Sequence, residues 1–520
     1  MVSTVQATQA REGIETSEEM ASQAYYIVTE GEKAAFFDLQ GFRGGKGEID
    51  QRHDFFVKTL RGETKSVRFD VPLRDFSEVA GAPLAYKRIG TIAHIFREAL
   101  SLDPHWGVAS QGLATADDSR FVRFSWEIPR DDKGKDWVPF AKGGDFSRFY
   151  SNISLRLLWR DNGREIRSYE RAYIRNETYY FRPGLTWPRR TQRGFNVRVM
   201  PEGCIFADKG PVIFPNDPAH TFLILGVANS TAAEAILREL MSFGSWEVGV
   251  IKRLPIPNPN ASQKEIISRI AESIYHAKAN WDFGNEVSTS FKRPWLIGQS
   301  ATKNRTDVRG RLDQLGEYES NKDANIQKLY SELNEEVYRL YGIHEAARKA
   351  IERSPGERPK EVIWPQMEGK SPEQKRMEHV WRLLSYVVKC VLEQDEDGIQ
   401  PIIAIAGKPS LIDQVYKKLE CSFPSQSISH VEVDILNELK RKVKGYRTTS
   451  SISEWLEDVF FEYHVSLYKN RPVHWHISSA QGKDKAAFGA LLRYHKFDKN
   501  CMAKLRGTYL RETIELFRRE

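Results

Sequence analysis

The sequence predicts an α+β protein: a β-rich domain in the middle, a helical spacer after it and a mixed α/β C-terminal domain. Three observations support this. Residues 106–258 hold short runs such as FVRFSWEI, SLRLLW, YYF and FNVRVM, each bounded by Gly, Pro, Asp or Asn. Residues 262–281 and 323–341 carry apolar stripes at helical spacing. Beyond a charged, Pro-containing stretch at 345–370, helical and strand-like patterns mix again.

The elements follow in chain order. Residues 1–23 read as a flexible lead. In the α/β segment 24–83, AYYIV and AAFFDL are strand-like runs split by TEGEK, and VRFDVPL is a third. A helix fits 91–102, with Ile92, Ile95, Phe96 and Leu100 on one face. The β-rich domain spans 84–258. TFLILGVANS breaks its pattern and leads into a helix at 232–241. IKRLPIPNPN closes it, because prolines at 255, 257 and 259 stop any regular element. The spacer, 259–345, holds the stripes Ile266, Ile267, Ile270, Ile274 and Ile326, Leu329, Leu333, Val337, Leu340. The C-terminal domain, 346–520, starts with a charged linker to 370 and a helix at 371–393. It ends on the strand RPVHWHISS and an amphipathic helix at 498–519, with Met502, Leu505, Tyr509, Ile514 and Phe517 as its stripe.

The chain has 520 residues, 40% hydrophobic and 28% charged, enough for more than one core. No apolar run nears the ~18 residues of a membrane span. The polar, acid-containing N-terminus lacks a secretory signal, so a cytoplasmic protein is expected. Four scattered cysteines suggest neither a disulfide framework nor a zinc site. Charge is uneven. The whole chain carries +7, yet residues 141–200 hold one Lys and twelve Arg against two Asp and three Glu. A neutral body with one Arg-rich window marks a local polyanion site.

Lys142, Arg148, Arg156, Arg160, Arg189, Arg190 and Arg193 lie in that window among aromatics that include Trp187. Guanidinium forks bind phosphate and guanine O6/N7 bidentately, so the composition points to nucleic acid. The competing reading is a solvated basic face over core aromatics. Just upstream, WGVASQGLATADDSRFVRFSW supplies Gln111, Thr115, Arg120 and Arg123, side chains able to reach base edges or phosphates.

Other motifs fit ordinary structure better. GFRGGKG at 41–47 lacks GxGxxG spacing and a following helix, and reads as a loop. AGKPS at 406–410 is not a P-loop, because Pro409 removes an N–H from the cradle. Asp434 and Glu438 share one helix face and read as solvated. His474 and His476 flank Trp475 and read as structural histidines beside a core Trp, since no third metal ligand is in view.

QGLATADDSRFVRFSWEI resembles the segment that opens the target-recognition region of the BREX phage-defence adenine methyltransferases, the PglX family, which share their architecture with type IIL restriction-modification enzymes. WVPFAKGGDFSRFY resembles the KGG element that follows. RNETYYFRPGLTW, GFNVRVMPEGCIFADKGPVIFP, VGVIKRLPIP, NEEVYRLYGI and KNRPVHWHISSAQGKDKAAFGALLRYHKFDKN resemble later blocks, in the family's order. The family's catalytic Asn-Pro-Pro-Tyr motif has no counterpart, because the chain contains no Pro-Pro dipeptide.

The resemblance implies a non-catalytic DNA-recognition chain that grips double-stranded DNA with residues 106–200. A separate methyltransferase subunit would bind S-adenosylmethionine and methylate adenine N6. No cofactor or metal is expected on this chain, and no membrane; other phage-defence proteins are further partners. Gln111, Thr115, Arg120 and Arg123 are expected to read bases, and most window arginines to hold phosphates. The alternatives are an assembly or regulatory subunit of a phage-defence complex and, less favoured, a nuclease with an unrecognised site.

Overall fold

The computed structural model describes residues 2–4, 25–30, 33–38, 46–63, 68–72, 89–129, 136–241, 245–298, 305–352, 358–405, 407–479 and 488–519. It is α+β, with small sheets beside a helical layer. Near the N-terminus, Val2–Thr4, Tyr25–Glu30, Lys33–Asp38 and Arg68–Pro72 form an antiparallel sheet in that order. A helix, Lys46–Leu60, does follow the Gly-rich stretch, contrary to expectation. Residues 41–45 of that stretch lie outside the described residues.

Two four-stranded sheets build the β-rich region. One is antiparallel, in the order Arg198–Met200, Gly184–Thr186, Val212–Pro215, Gly107–Ser110. The other runs Ile205–Phe206, Trp137–Ala141, Leu155–Leu158, Val122–Phe124, with only its first pair parallel. Side chains alternate across a strand. Leu157 therefore joins Phe121, Phe140, Phe206 and Phe214 in a core, while Arg156 faces the other way, directly opposite Arg123. The expected strand YYF is a short helical turn, Glu177–Tyr179, entered through left-handed Asn176.

TFLILGVANS forms the helix Thr221–Ala228, apolar all round and buried on every side. It packs on Ala261–Trp281, whose N-terminus is closed by a reciprocal Asn260–Gln263 capping box. The long helix Val308–Leu340 begins at the Asp307 cap, well before the expected residue 323, and buries Val308, Leu312 and Leu315 on its added turns. Ser371 and Pro372 start the helix Pro372–Gln394.

One hydrophobic core runs from Val71 to Leu491 and crosses the boundaries expected near 83, 258 and 345. The stretch at 345–370 is no open linker. It contains the helix Glu345–Glu352 and buries Glu361, Ile363, Trp364 and Met367. In the last sheet, ordered Ile399–Pro401, Gly489–Arg493, His474–Ser478, Trp475 is 50% exposed and His474 is buried. The expected core Trp is thus outside and its histidine neighbour inside. The chain is helical from Cys501 to Arg519, but only Leu505 and Tyr509 of its expected stripe are buried.

A buried charge network ties these parts together. The Arg148 guanidinium, 1% exposed, lies 3.3 Å from the Glu361 carboxylate and 3.8 Å from that of Glu234. Lys278 pairs with Glu361 and donates to the Arg148 carbonyl at 3.1 Å. The rings of Phe146 and Tyr330 lie 4.9 and 5.2 Å from the guanidinium. Burial acts to discharge Arg148, but Tyr330, Glu361 and Glu234 outweigh it and keep the group charged. Removing one partner of such a network leaves a buried charge uncompensated. Arg148→Ala is therefore expected to lower unfolding free energy by about 3–5 kcal/mol, whereas exposed Arg190→Ala stays within about 0.5 kcal/mol, in denaturant titrations.

Candidate nucleic-acid interface

Four loops leave the C-terminal ends of strands in the two sheets and meet. Residues 111–118 follow Gly107–Ser110, residues 142–144 follow Trp137–Ala141, residues 187–193 follow Gly184–Thr186, and residues 207–210 follow Ile205–Phe206. Backbone hydrogen bonds join them. Leu113 N–H donates to the Phe206 carbonyl at 3.0 Å and Asp208 N–H to the Leu113 carbonyl at 3.0 Å. Ala207 N–H reaches the Ala141 carbonyl at 2.9 Å, and Arg189 N–H the Lys209 carbonyl at 3.1 Å.

Glycines permit this approach. A Cβ on Gly112 would stand 2.0 Å from the Phe206 carbonyl oxygen, and one on Gly210 would stand 2.4 Å from the Gly143 nitrogen. Gly143 also has φ +78° and packs on the Lys209 carbonyl. Backbone packing thus explains the glycines of QG and DKG and the first of KGG, while Gly144 is fixed by its φ of +111° with open space around it.

The loops carry a polar, net-basic group of side chains. The Lys142 ammonium, with its stem buried, pairs with Asp118 and lies 3.4 Å from the Thr115 hydroxyl, which itself donates to Asp118. Burial tends to raise the Asp118 carboxyl. Hydrogen bonds from Lys142 and Thr115 and the charges of Lys142 and Lys209 outweigh it and hold the group below the usual carboxylate range. Lys209 is exposed and has no ion pair among the described residues. Gln111 reaches the Asp208 carbonyl at 3.5 Å, and its own carbonyl accepts from the Asn176 amide at 2.7 Å. Tyr173, 59% exposed with Arg175 over its ring, bridges to Ala114 on the same flank.

The structure thus brings together Gln111, Thr115, Lys142 and Arg189, with Arg190 and Arg193 on the same loop. Arg189 meets Glu247 at 2.8 Å and Arg193 pairs with Glu368, while Arg190 is exposed. Three expected DNA contacts are interior instead. Thr115 is 3% exposed, its hydroxyl turned to Asp118 rather than to solvent. Arg148 belongs to the buried network, and Trp187 is fully buried, its indole N–H donating to the Trp246 carbonyl at 2.8 Å. Arg160 is held by Asp136. Arg120 lies over Phe121 and Tyr169 and 3.8 Å from Glu165. Arg123 caps the Ser119 and Val122 carbonyls at 2.6 and 2.8 Å.

Of the twelve window arginines, Arg148 and Arg198 are buried, and Arg160, Arg164, Arg167, Arg189 and Arg193 pair with acids. Arg156, Arg171, Arg175, Arg182 and Arg190 make no ion pair among the described residues. The composition signal therefore overstated the free charge, because many partner acids lie outside the window, as Asp136, Glu247 and Glu368 do. Arg198 donates to the Gly143 and Asp145 carbonyls at 2.9 and 2.8 Å and so shapes the KGG loop; desolvation lowers its guanidinium to about 10. Sequence reading missed Lys209 and Asp118, and counted Arg198 among the window arginines although it is buried. The DKG triplet beside a strand was the available signal for Lys209.

Among the described residues no three His, Cys, Asp or Glu side chains are grouped to hold a metal ion. Glu438 is engaged by Arg376 and Arg441, and Asp434 accepts from Gln426 at 3.0 Å. No single described helix is long and apolar enough to cross a membrane.

The chain is similar to two proteins described as adenine-specific methyltransferases. It is 23% identical over 541 aligned positions to the adenine-specific methyltransferase PglX of Lacticaseibacillus casei (strain Zhang), covering 93% of this chain and 43% of that protein. It is 24% identical over 503 positions to the adenine-specific methyltransferase BrxX of Escherichia coli O9:H4 (strain HS), covering 84% and 39%. The chain thus spans about two fifths of the length of these curated relatives. No family model matches it. A solved structure of the type IIL restriction-modification enzyme MmeI in complex with DNA aligns with 48% of this chain and 36% of its own, at 17% identity and a TM-score of 0.31.

Gly112 tests the loop assembly. Gly112→Ala is expected to destabilise by about 1–3 kcal/mol through overpacking, seen as a lower thermal midpoint. Gly316→Ala, on the long helix with open space around it, should leave the midpoint unchanged or raise it slightly.

Proposed function

We propose that this chain supplies DNA recognition to an adenine-N6 methylation system of phage defence. The observation that carries the reading is the meeting of four loops with Lys142, Lys209, Arg189, Arg190 and Gln111 at one end of the two sheets. Its homology to adenine-specific methyltransferases supports it. In this reading methyl transfer belongs to a separate subunit that binds S-adenosylmethionine.

The mechanism divides the work between affinity and readout. Lys209 and Arg190 meet phosphates directly. Lys142, Arg189 and Arg193 exchange their carboxylate partners for phosphate, which keeps each cation hydrogen-bonded throughout. Gln111 pairs with an adenine edge, and Arg120 and Arg123 flank it, within reach only if their internal contacts release.

Salt titration of duplex binding tests this. Four or five phosphate contacts give a slope of log K against log salt of roughly −4. Lys209→Ala and Arg190→Ala should each reduce it by about 0.9, whereas Gln111→Ala should change sequence preference and leave the slope. A slope near zero for the parent chain would reject DNA recognition and favour an assembly subunit.

A further inference from the structure

A second cavity, of about 400 Å³, lies between the β-rich region and the C-terminal domain, and none of the loop residues described above lines it. Trp126, Ile128 and Pro129 give it an apolar wall. Lys389, Arg493 and Lys496 give it three cations, with Glu393 as its one acid.

The cations come from separate elements. Lys389 is on the helix Pro372–Gln394, Arg493 ends the strand Gly489–Arg493, and Lys496 lies in the turn that follows. Arg493 stands directly opposite His474 in the antiparallel pair, so both project from one face of the sheet. Arg493 and Lys496 make no ion pair among the described residues, and Lys389 makes one, with the buried Glu286. Arg493 donates to the Glu393 carbonyl at 3.3 Å, and Lys496 to the carbonyls of Asp395, at 3.0 Å, and Glu396. Lys389 has the Tyr468 hydroxyl at 3.4 Å and the Glu286 carboxylate only at 3.9 Å.

The buried His474 ring also lines this cavity. It has no hydrogen-bond partner at either nitrogen and stacks on His464, centroids 4.8 Å apart. Burial first, and then the nearby cationic groups, hold both imidazoles far on the neutral side, His464 at about 3. Lys389, Arg493 and Lys496 against Glu393 and the Glu286 partner of Lys389 leave the cavity wall net positive. Trp126 has one ring face covered by Phe124 at 4.4 Å and its N–H bonded to the Arg471 carbonyl, so its position is fixed.

We infer that this cavity binds a nucleoside phosphate, the phosphate at Lys389, Arg493 and Lys496 and the flat base against Trp126, Ile128 and Pro129. Charge-assisted bonds to phosphate suit these donors, and the volume falls in the range of small-molecule sites, about 300–1,000 Å³. A free nucleotide and a nucleotide of a DNA strand offer the same chemistry.

Calorimetric titration of the full chain with ADP, AMP and adenosine tests this, followed by competition with a short duplex. ADP and AMP should bind and adenosine should not. Lys389→Gln and Lys496→Gln should each weaken ADP about tenfold, with thermal midpoints checked first. Arg493→Gln adds a third measurement if it folds. Displacement of ADP by duplex assigns the site to the strand, and simultaneous binding assigns it to a free nucleotide. Failure of both nucleotides to bind the folded parent, adenosine binding as tightly as ADP, or variants that bind ADP undiminished would overturn the inference. The outcome is independent of whether the four loops read DNA.

Discussion

The Arg148–Glu361 contact is the interaction on which the arrangement depends. Arg148 comes from the β-rich region, Glu234 and Lys278 from the helical layer, and Glu361 from the segment leading to the C-terminal domain. Buried charges are costly unless paired and hydrogen-bonded, so the four segments are favoured only when assembled together. The network thereby sets the position of both sheets relative to the helices, and with it the direction in which the loop-bearing strand ends point. Further ties act the same way at the rim. Asp145 meets Lys469 at 2.9 Å, and the Trp126 indole donates to the Arg471 carbonyl at 3.1 Å.

Around the loops, charge is largely matched in advance. Lys142 rests on Asp118, Arg189 on Glu247 and Arg193 on Glu368. Such pairs at or near the surface are worth little by themselves, so a phosphate can displace the carboxylate at small cost. Lys209 and Arg190 are exposed and without an ion pair among the described residues, and in the proposed DNA-recognition reading they make the first long-range contact.

Much of the fold was legible because its signals are local. The stripe Ile267, Ile270, Ile274 and the Asn260 cap define one helix, and the runs YYIVTE and KAAFFD define a hairpin. The extra length of Val308–Leu340 was hidden by Gly310, Gly316 and a polar composition; the Asp307 cap and the packing of Val308, Leu312 and Leu315 hold those turns. Trp475 and His474 exchanged roles because alternation fixes which residues share a face but not which face is buried. The site was partly legible. Gln111, Lys142 and Arg189 share a surface over buried Thr115 because of glycine-mediated loop contacts that no single-sequence pattern encodes. Arg148 and Trp187 looked like DNA ligands by type, yet their partners Glu361 and Trp246 lie far along the chain.

Amide hydrogen exchange with and without duplex DNA measures the central claim most directly. If the four loops form the DNA face, binding slows exchange at residues 111–118, 142–144, 187–193 and 207–210, while the helix Ala261–Trp281 stays unchanged. Protection confined to residues outside those loops, with the loops exchanging as before, would contradict it.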